Sequence, residues 1–97
     1  FGAADAIEHI VVKDFTTCLI LRMRSVPALD STALNALQNL TKVCESKGIT
    51  LVFSHVNEQP MKVMVKSGFV DLVGKDNFCP NIRAALDHAE KIIATAK

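Results

Sequence analysis

The chain has neither tryptophan nor tyrosine, and phenylalanine supplies its few aromatic side chains. About half of the sequence is apolar, and a core this poor in aromatics must be filled mainly by Val, Ile, Leu, Ala and Met. With 97 residues there is material for one domain and not for two. No apolar run approaches the roughly 20 residues that cross a bilayer, and no signal peptide is visible, so the segment is expected to be soluble in itself. There is no excess of one charge. The net charge is +1 with acids and bases interspersed, which leaves no basic stripe of the kind that follows nucleic acid.

Catalytic and metal-binding patterns are equally scarce. Cys18, Cys44 and Cys79 are odd in number and far apart, with no CxxC and no Cys/His pair at zinc spacing. They read as reduced thiols, with Cys18 and Cys44 inside apolar patterns. His9, His55 and His88 sit on different elements, so only the fold could gather them around a metal, and none is expected. Ser31 with a His and an Asp does not make a hydrolase, because the G-x-S-x-G elbow is missing. A P-loop and a GxGxxG turn are missing too. No catalytic residue is assigned.

What is present is an alternation of helical and strand patterns. Ala3, Ala6, Ile7, Ile10 and Val11 share one helical face over Asp5 to Lys13. Thr16 to Met23 is a short apolar run that suits a strand buried on both faces. Pro27 stops the ladder, and Asp30 or Ser31 is placed to cap the next helix. That helix carries Ala33, Ala36, Leu37, Leu40, Val43 and Cys44 on one face. Lys47 and Gly48 end it. Ile49 to Ser54 reads as a second strand. Asn57 is placed to cap a helix holding Met61, Met64 and Val65, a stripe whose default is core packing. Pro60 falls in its first turn, where a missing N–H costs little, and Gly68 ends it. Phe69 to Gly74 reads as a connector, Asn77 to Cys79 as a brief edge strand, and Pro80 or Asn81 as the start of the last helix. The apolar face of that helix is Ile82, Ala85, Leu86, Ala89, Ile92 or Ile93, and Ala96. Fraying is expected only after Thr95. Strands alternating with helices imply a mostly parallel sheet.

Four stretches, in order, resemble the STAS family. The run from Leu19 to Leu34 resembles its central signature, an apolar strand and a loop ending in Asp30, followed by Ser31, Thr32 and Ala33. Lys47-Gly48-Ile49-Thr50-Leu51 resembles the step from helix to second strand. Ser67-Gly68-Phe69 resembles the end of the third helix. Asn77-Phe78-Cys79-Pro80-Asn81, followed by Ile82, Ala85 and Leu86, resembles the start of the last helix. Phe1-Gly2-Ala3-Ala4 and Arg22 to Pro27 are closer to the SulP transporter branch than to the anti-sigma factor antagonists.

The resemblance implies a single α/β STAS domain over residues 1–97. Its mostly parallel four-to-five-stranded sheet would be flanked by helices, and the first strand partly cut away in a fragment of a longer chain. It further implies a non-enzymatic, cytoplasmic regulatory and protein-interaction domain of a SulP-type sulfate or anion transporter, on the inner face of a bacterial membrane. Partners would be the transmembrane domain of the same transporter and other cytoplasmic regulatory proteins, with a homodimer formed through the full-length transporter. The alternative is a free-standing anti-sigma factor antagonist switched by phosphorylation at Ser31. Ala33 stands where antagonists usually carry Gly, which departs from that pattern.

The expected functional face lies in Ser25 to Thr32 and His55 to Gln59, at the C-terminal edge of the strands. Ser31 is the regulatory candidate, since a phosphate there would add about two negative charges at a helix N-terminus beside Asp30. The same residue types also cap helices with no further role. Asp30, Ser31, Thr32 and Asn57 form the candidate interaction or anion-binding turn, because free N–H groups open the helices that follow. No cofactor is expected. Some STAS domains bind nucleotides, so the resemblance alone keeps a nucleotide open.

Overall fold

The computed structural model describes residues 17–95. The helix expected over Asp5 to Lys13, the strand remnant at Phe1 to Ala4, and Ala96 lie outside the described residues. The elements are β1 (Cys18–Arg22), α1 (Ser31–Ser46), β2 (Thr50–Ser54), α2 (Glu58–Lys66), α3 (Phe69–Val73), a single 3-10 turn (Lys75–Asn77), β3 (Phe78–Cys79) and α4 (Ile82–Thr95).

The three strands form one parallel sheet in the order β1-β2-β3. Cys18 pairs with Thr50 and Arg22 with Ser54, so both strands stop at the same level. Phe53 pairs with Phe78 and Ser54 with Cys79. The architecture is the expected α/β sheet flanked by helices, and three of the four strand segments read from the sequence fall within the described residues. One expectation is corrected. The continuous burial foreseen for the Thr16 to Met23 run belongs to β2, where Leu51, Val52, Phe53 and Ser54 are all buried, while Cys18 to Leu21 are half-buried, Arg22 is exposed and, of the described residues of that run, only Met23 is buried. Among the described residues β2 has a paired neighbour on each side and β1 on one.

Alternation along β2 sends Leu51 and Phe53 to one face and Val52 to the other. Leu51 and Phe53 join Ala33, Ala36, Leu37, Leu40 and Cys44 of α1, Met64 of α2 and Phe69 of α3 in one cluster. Phe53 is at its centre, edge-on to Phe69 with centroids 5.7 Å apart and stacked on Phe78 at 4.8 Å. Such ring pairs contribute about 0.5–1.5 kcal/mol each beyond the area they bury. On the opposite face α4 lies against all three strands. Its buried residues are Ala85 and Ala89, whose small side chains let the helix approach closely.

The helix ends follow the sequence. Asp30 is the cap of α1, in extended backbone, and its Oδ1 accepts the Ala33 N–H at 2.8 Å. At the other end Gly48 takes a φ of 70°, and the Ile49 N–H donates to Cys44 O at 2.8 Å, which turns the chain into β2. Asn81 caps α4 by accepting the Ala84 N–H at 2.8 Å.

Two differences have local causes. Phe69–Val73 is a helix rather than a connector. It is bracketed by Gly68 and Gly74, both at positive φ, and is anchored by buried Phe69 and Val70. Val43, Val65 and Leu86 have the spacing of core-facing stripes and are exposed, and of the alternatives Ile92 and Ile93 it is Ile92 that is half-buried. In α2 the buried pair is Pro60 and Met64, four residues apart, which turns Val65 out to solvent.

Candidate functional site

Both strand-to-helix loops open on the C-terminal edge of the sheet, as expected. The first runs from Met23 to Asp30. It begins by extending the ladder, with the Met23 N–H donating to Ser54 O at 2.9 Å, and then folds into a turn closed by Val26 N–H to Met23 O at 3.0 Å. The second starts at His55, whose φ of 54° is left-handed and whose N–H donates to Cys79 O at 2.9 Å. That bend carries the chain to Asn57.

Asn57 takes the N-cap position of α2 but not the capping role. Its side chain makes no bond to the helix. Instead Nδ2 donates across the edge to Arg24 O at 3.0 Å and Val26 O at 2.9 Å, with Met23 O at 3.5 Å. Gln59 adds a second stitch, its Oε1 accepting the Leu29 N–H at 2.7 Å and its Nε2 reaching Leu29 O at 3.4 Å. The loop therefore has its carbonyl groups turned toward α2. Leu29 is buried, so its polar backbone groups need those partners. Gln59 carries no local sequence signal, because the bond spans 30 residues.

Of the candidate residues, Asp30, Ser31 and Thr32 are exposed and contiguous at the start of α1. The Ser31 hydroxyl makes no hydrogen bond among the described residues. Asp30 and Asn57 are not brought to one ligand. Asp30 is turned to its own helix and Asn57 to the loop backbone. An anion at the start of α1 would compete with the Asp30 carboxylate for the N–H groups there. Between the loops lies a shallow hollow lined by Pro27, Asn57, Glu58, Gln59 and Lys62. Glu58 and Lys62 pair along α2 at 3.3 Å but are largely solvent-exposed, so the pair adds little to stability.

Burial pushes the thiols of Cys18, Cys44 and Cys79 up from their ordinary value, away from the thiolate that a nucleophile needs. Asn77 Nδ2 donates to Val73 O at 2.9 Å, so its Oδ1 accepts from His88 Nε2 at 2.8 Å, fastening α4 to the 3-10 turn. Among the described residues no three His, Cys, Asp or Glu side chains gather as a metal site. No helix among them is long and apolar enough to cross a membrane.

With this geometry in place, the likenesses to known proteins agree with one another. The STAS domain family model matches residues 2–88. A probable sulfate transporter 4.2 of Arabidopsis thaliana is 32% identical over 68 residues, which is 70% of this chain and 10% of that protein. The chain thus spans about a tenth of the length of the curated relatives it matches. A crystal structure of a sulfate transporter family protein from Wolinella succinogenes superposes with a TM-score of 0.86 at 29% identity, covering 94% of this chain and 76% of that one. The SulP transporter STAS domain of Vibrio cholerae gives 0.81 at 30% identity, with 96% and 74% covered.

Proposed function

The chain belongs to the STAS domain family, and from that premise we propose that it is the cytoplasmic regulatory domain of a SulP-type anion transporter. It recognises another protein element, the membrane part of the same transporter or a cytoplasmic regulator, and biases transport without catalysing a reaction. The observation that carries this reading is the likeness over almost the whole chain to a SulP transporter STAS domain. The edge geometry supports it. The Met23–Asp30 loop is fastened by Asn57 and Gln59 rather than left mobile, which gives a partner a preformed surface and lowers the ordering cost of binding.

Ser31 is the switch on this surface. Its exposed hydroxyl stands at the first residue of α1, beside the Asp30 carboxylate. A phosphate there would be favoured by the helix terminus, opposed by the Asp30 carboxylate already bound to it, and would place about two further negative charges on the partner-facing edge. The test is anion uptake by the full-length protein in vesicles. A Ser31→Asp variant is expected to change the uptake rate relative to wild type while Ser31→Ala does not, with both variants inserted to equal amounts. Equal rates for all three would remove the regulatory role of Ser31, and equal rates after deletion of the whole domain would remove the regulatory reading itself.

A further inference from the structure

Two arginines at the C-terminal edge have no counter-charge among the described residues. Lys62 is paired with Glu58 and Arg83 with Asp87, whereas neither Arg22 nor Arg24 has an ion-pair partner among the described residues. Both are exposed, and with Ser25 they line one open depression of about 440 Å³.

The backbone beneath them is arranged for negative charge. Arg24 and Ser25 are the central residues of the turn closed by Val26 N–H to Met23 O. Asn57 Nδ2 occupies the Arg24 and Val26 carbonyl oxygens, so these two acceptors of the turn are bound on the side of α2. The N–H groups of Arg24 and Ser25 have no partner among the described residues. Successive unpartnered N–H groups in a turn attract anions. The carboxylate of Asp30, at the end of the same loop, is engaged with the Ala33 N–H. Two guanidinium forks, a hydroxyl and a braced turn match the oxygens of a tetrahedral dianion better than a single carboxylate, which one fork satisfies.

We propose that the Met23–Val26 turn, with the side chains of Arg22, Arg24 and Ser25, binds a tetrahedral oxyanion such as sulfate or phosphate. The depression is open to water, so screening keeps the affinity in the millimolar range. The site stands on the geometry of the turn and holds whether or not the parent protein is a transporter.

The test is an amide-shift titration of the purified chain with sodium sulfate and sodium phosphate against sodium chloride at equal ionic strength. Saturable shifts confined to Arg22 to Val26 are expected with the two oxyanions and not with chloride. An Arg22→Gln/Arg24→Gln double variant, whose exposed side chains leave the fold intact, is expected to weaken binding about tenfold or more. Identical shifts in chloride, or unchanged sulfate binding by the double variant, would overturn the proposal. A second arm separates the sources of the anion. Co-sedimentation with phosphatidic acid vesicles that sulfate displaces assigns the turn to a lipid phosphate. Saturable sulfate binding without co-sedimentation assigns it to the free ion.

Discussion

Replacing Asn57 by Ala removes the bridge between the two edge loops and leaves the rest of α2 untouched. Asn57 Nδ2 makes two good hydrogen bonds, at 3.0 Å to Arg24 O and 2.9 Å to Val26 O, and a third contact at 3.5 Å that contributes little. A net worth of about 0.5–1.5 kcal/mol per bond gives roughly 1–3 kcal/mol for the pair. Arg24 is exposed, so water replaces its lost partner. Val26 is half-buried and is hydrated less well. The expected loss is therefore about 1–2 kcal/mol, or a fall in Tm of roughly 4–16 °C for a domain of this size. Urea unfolding gives the free energy, and amide exchange gives its location. The Val26 and Leu29 N–H groups should exchange faster, while those of β2 change only with global stability. Asn57→Asp, which has no donor and sets a charge against the same carbonyl groups, should be at least as damaging. An Asn57→Ala protein within about 0.3 kcal/mol of wild type, with Val26 exchange unaltered, would refute the bridging role.

Three further outcomes follow from the core, the cap and the thiols. Phe53→Ala empties the contact with Phe69 and Phe78 and should cost about 3–5 kcal/mol in urea unfolding, a large part of the stability of a small domain; a loss under 1 kcal/mol would show that the cluster is not central. Asp30→Ala should cost about 1 kcal/mol and Asp30→Asn much less, because the amide oxygen still accepts the Ala33 N–H; equal losses in the two variants would contradict the capping role. The thiol pKa values are raised by burial, so the folded state holds its thiol protons more tightly than the unfolded chain. That part of the stability is complete below the ordinary thiol value of 9.0 and declines as pH rises through the folded values; unfolding curves from pH 8 upward check the sign, and a stability that rises above pH 9 on this account would be a contradiction.

The parts of the fold that the sequence made legible are those set by short-range chemistry. The Asp30 cap, the Gly48 stop and the Ala/Leu face of α1 are each specified within a few residues. The apolar runs of β1 and β2 were readable for the same reason. The burial of each strand was not, because it depends on which strand becomes central in the sheet. The helix at Phe69–Val73 is too short for a 3.6-residue period to show, so Gly68 and Phe69 read as a stop and a connector. Leu86 has the right spacing for a buried face, yet α4 seats on Ala85 and Ala89. A helix stripe is wider than the strip that touches a sheet. At the functional edge, the position of Asn57 was readable and its bonding was not, since its partners Arg24 and Val26 lie more than 30 residues away.

The central claim is that this STAS domain serves a membrane anion transporter, and the complete open reading frame around the chain tests it most directly. The account predicts, ahead of the domain, a series of apolar segments of about 20 residues each, long enough to span a bilayer as helices. A frame that encodes a free-standing protein of little more than this chain, with no such segments, would contradict it.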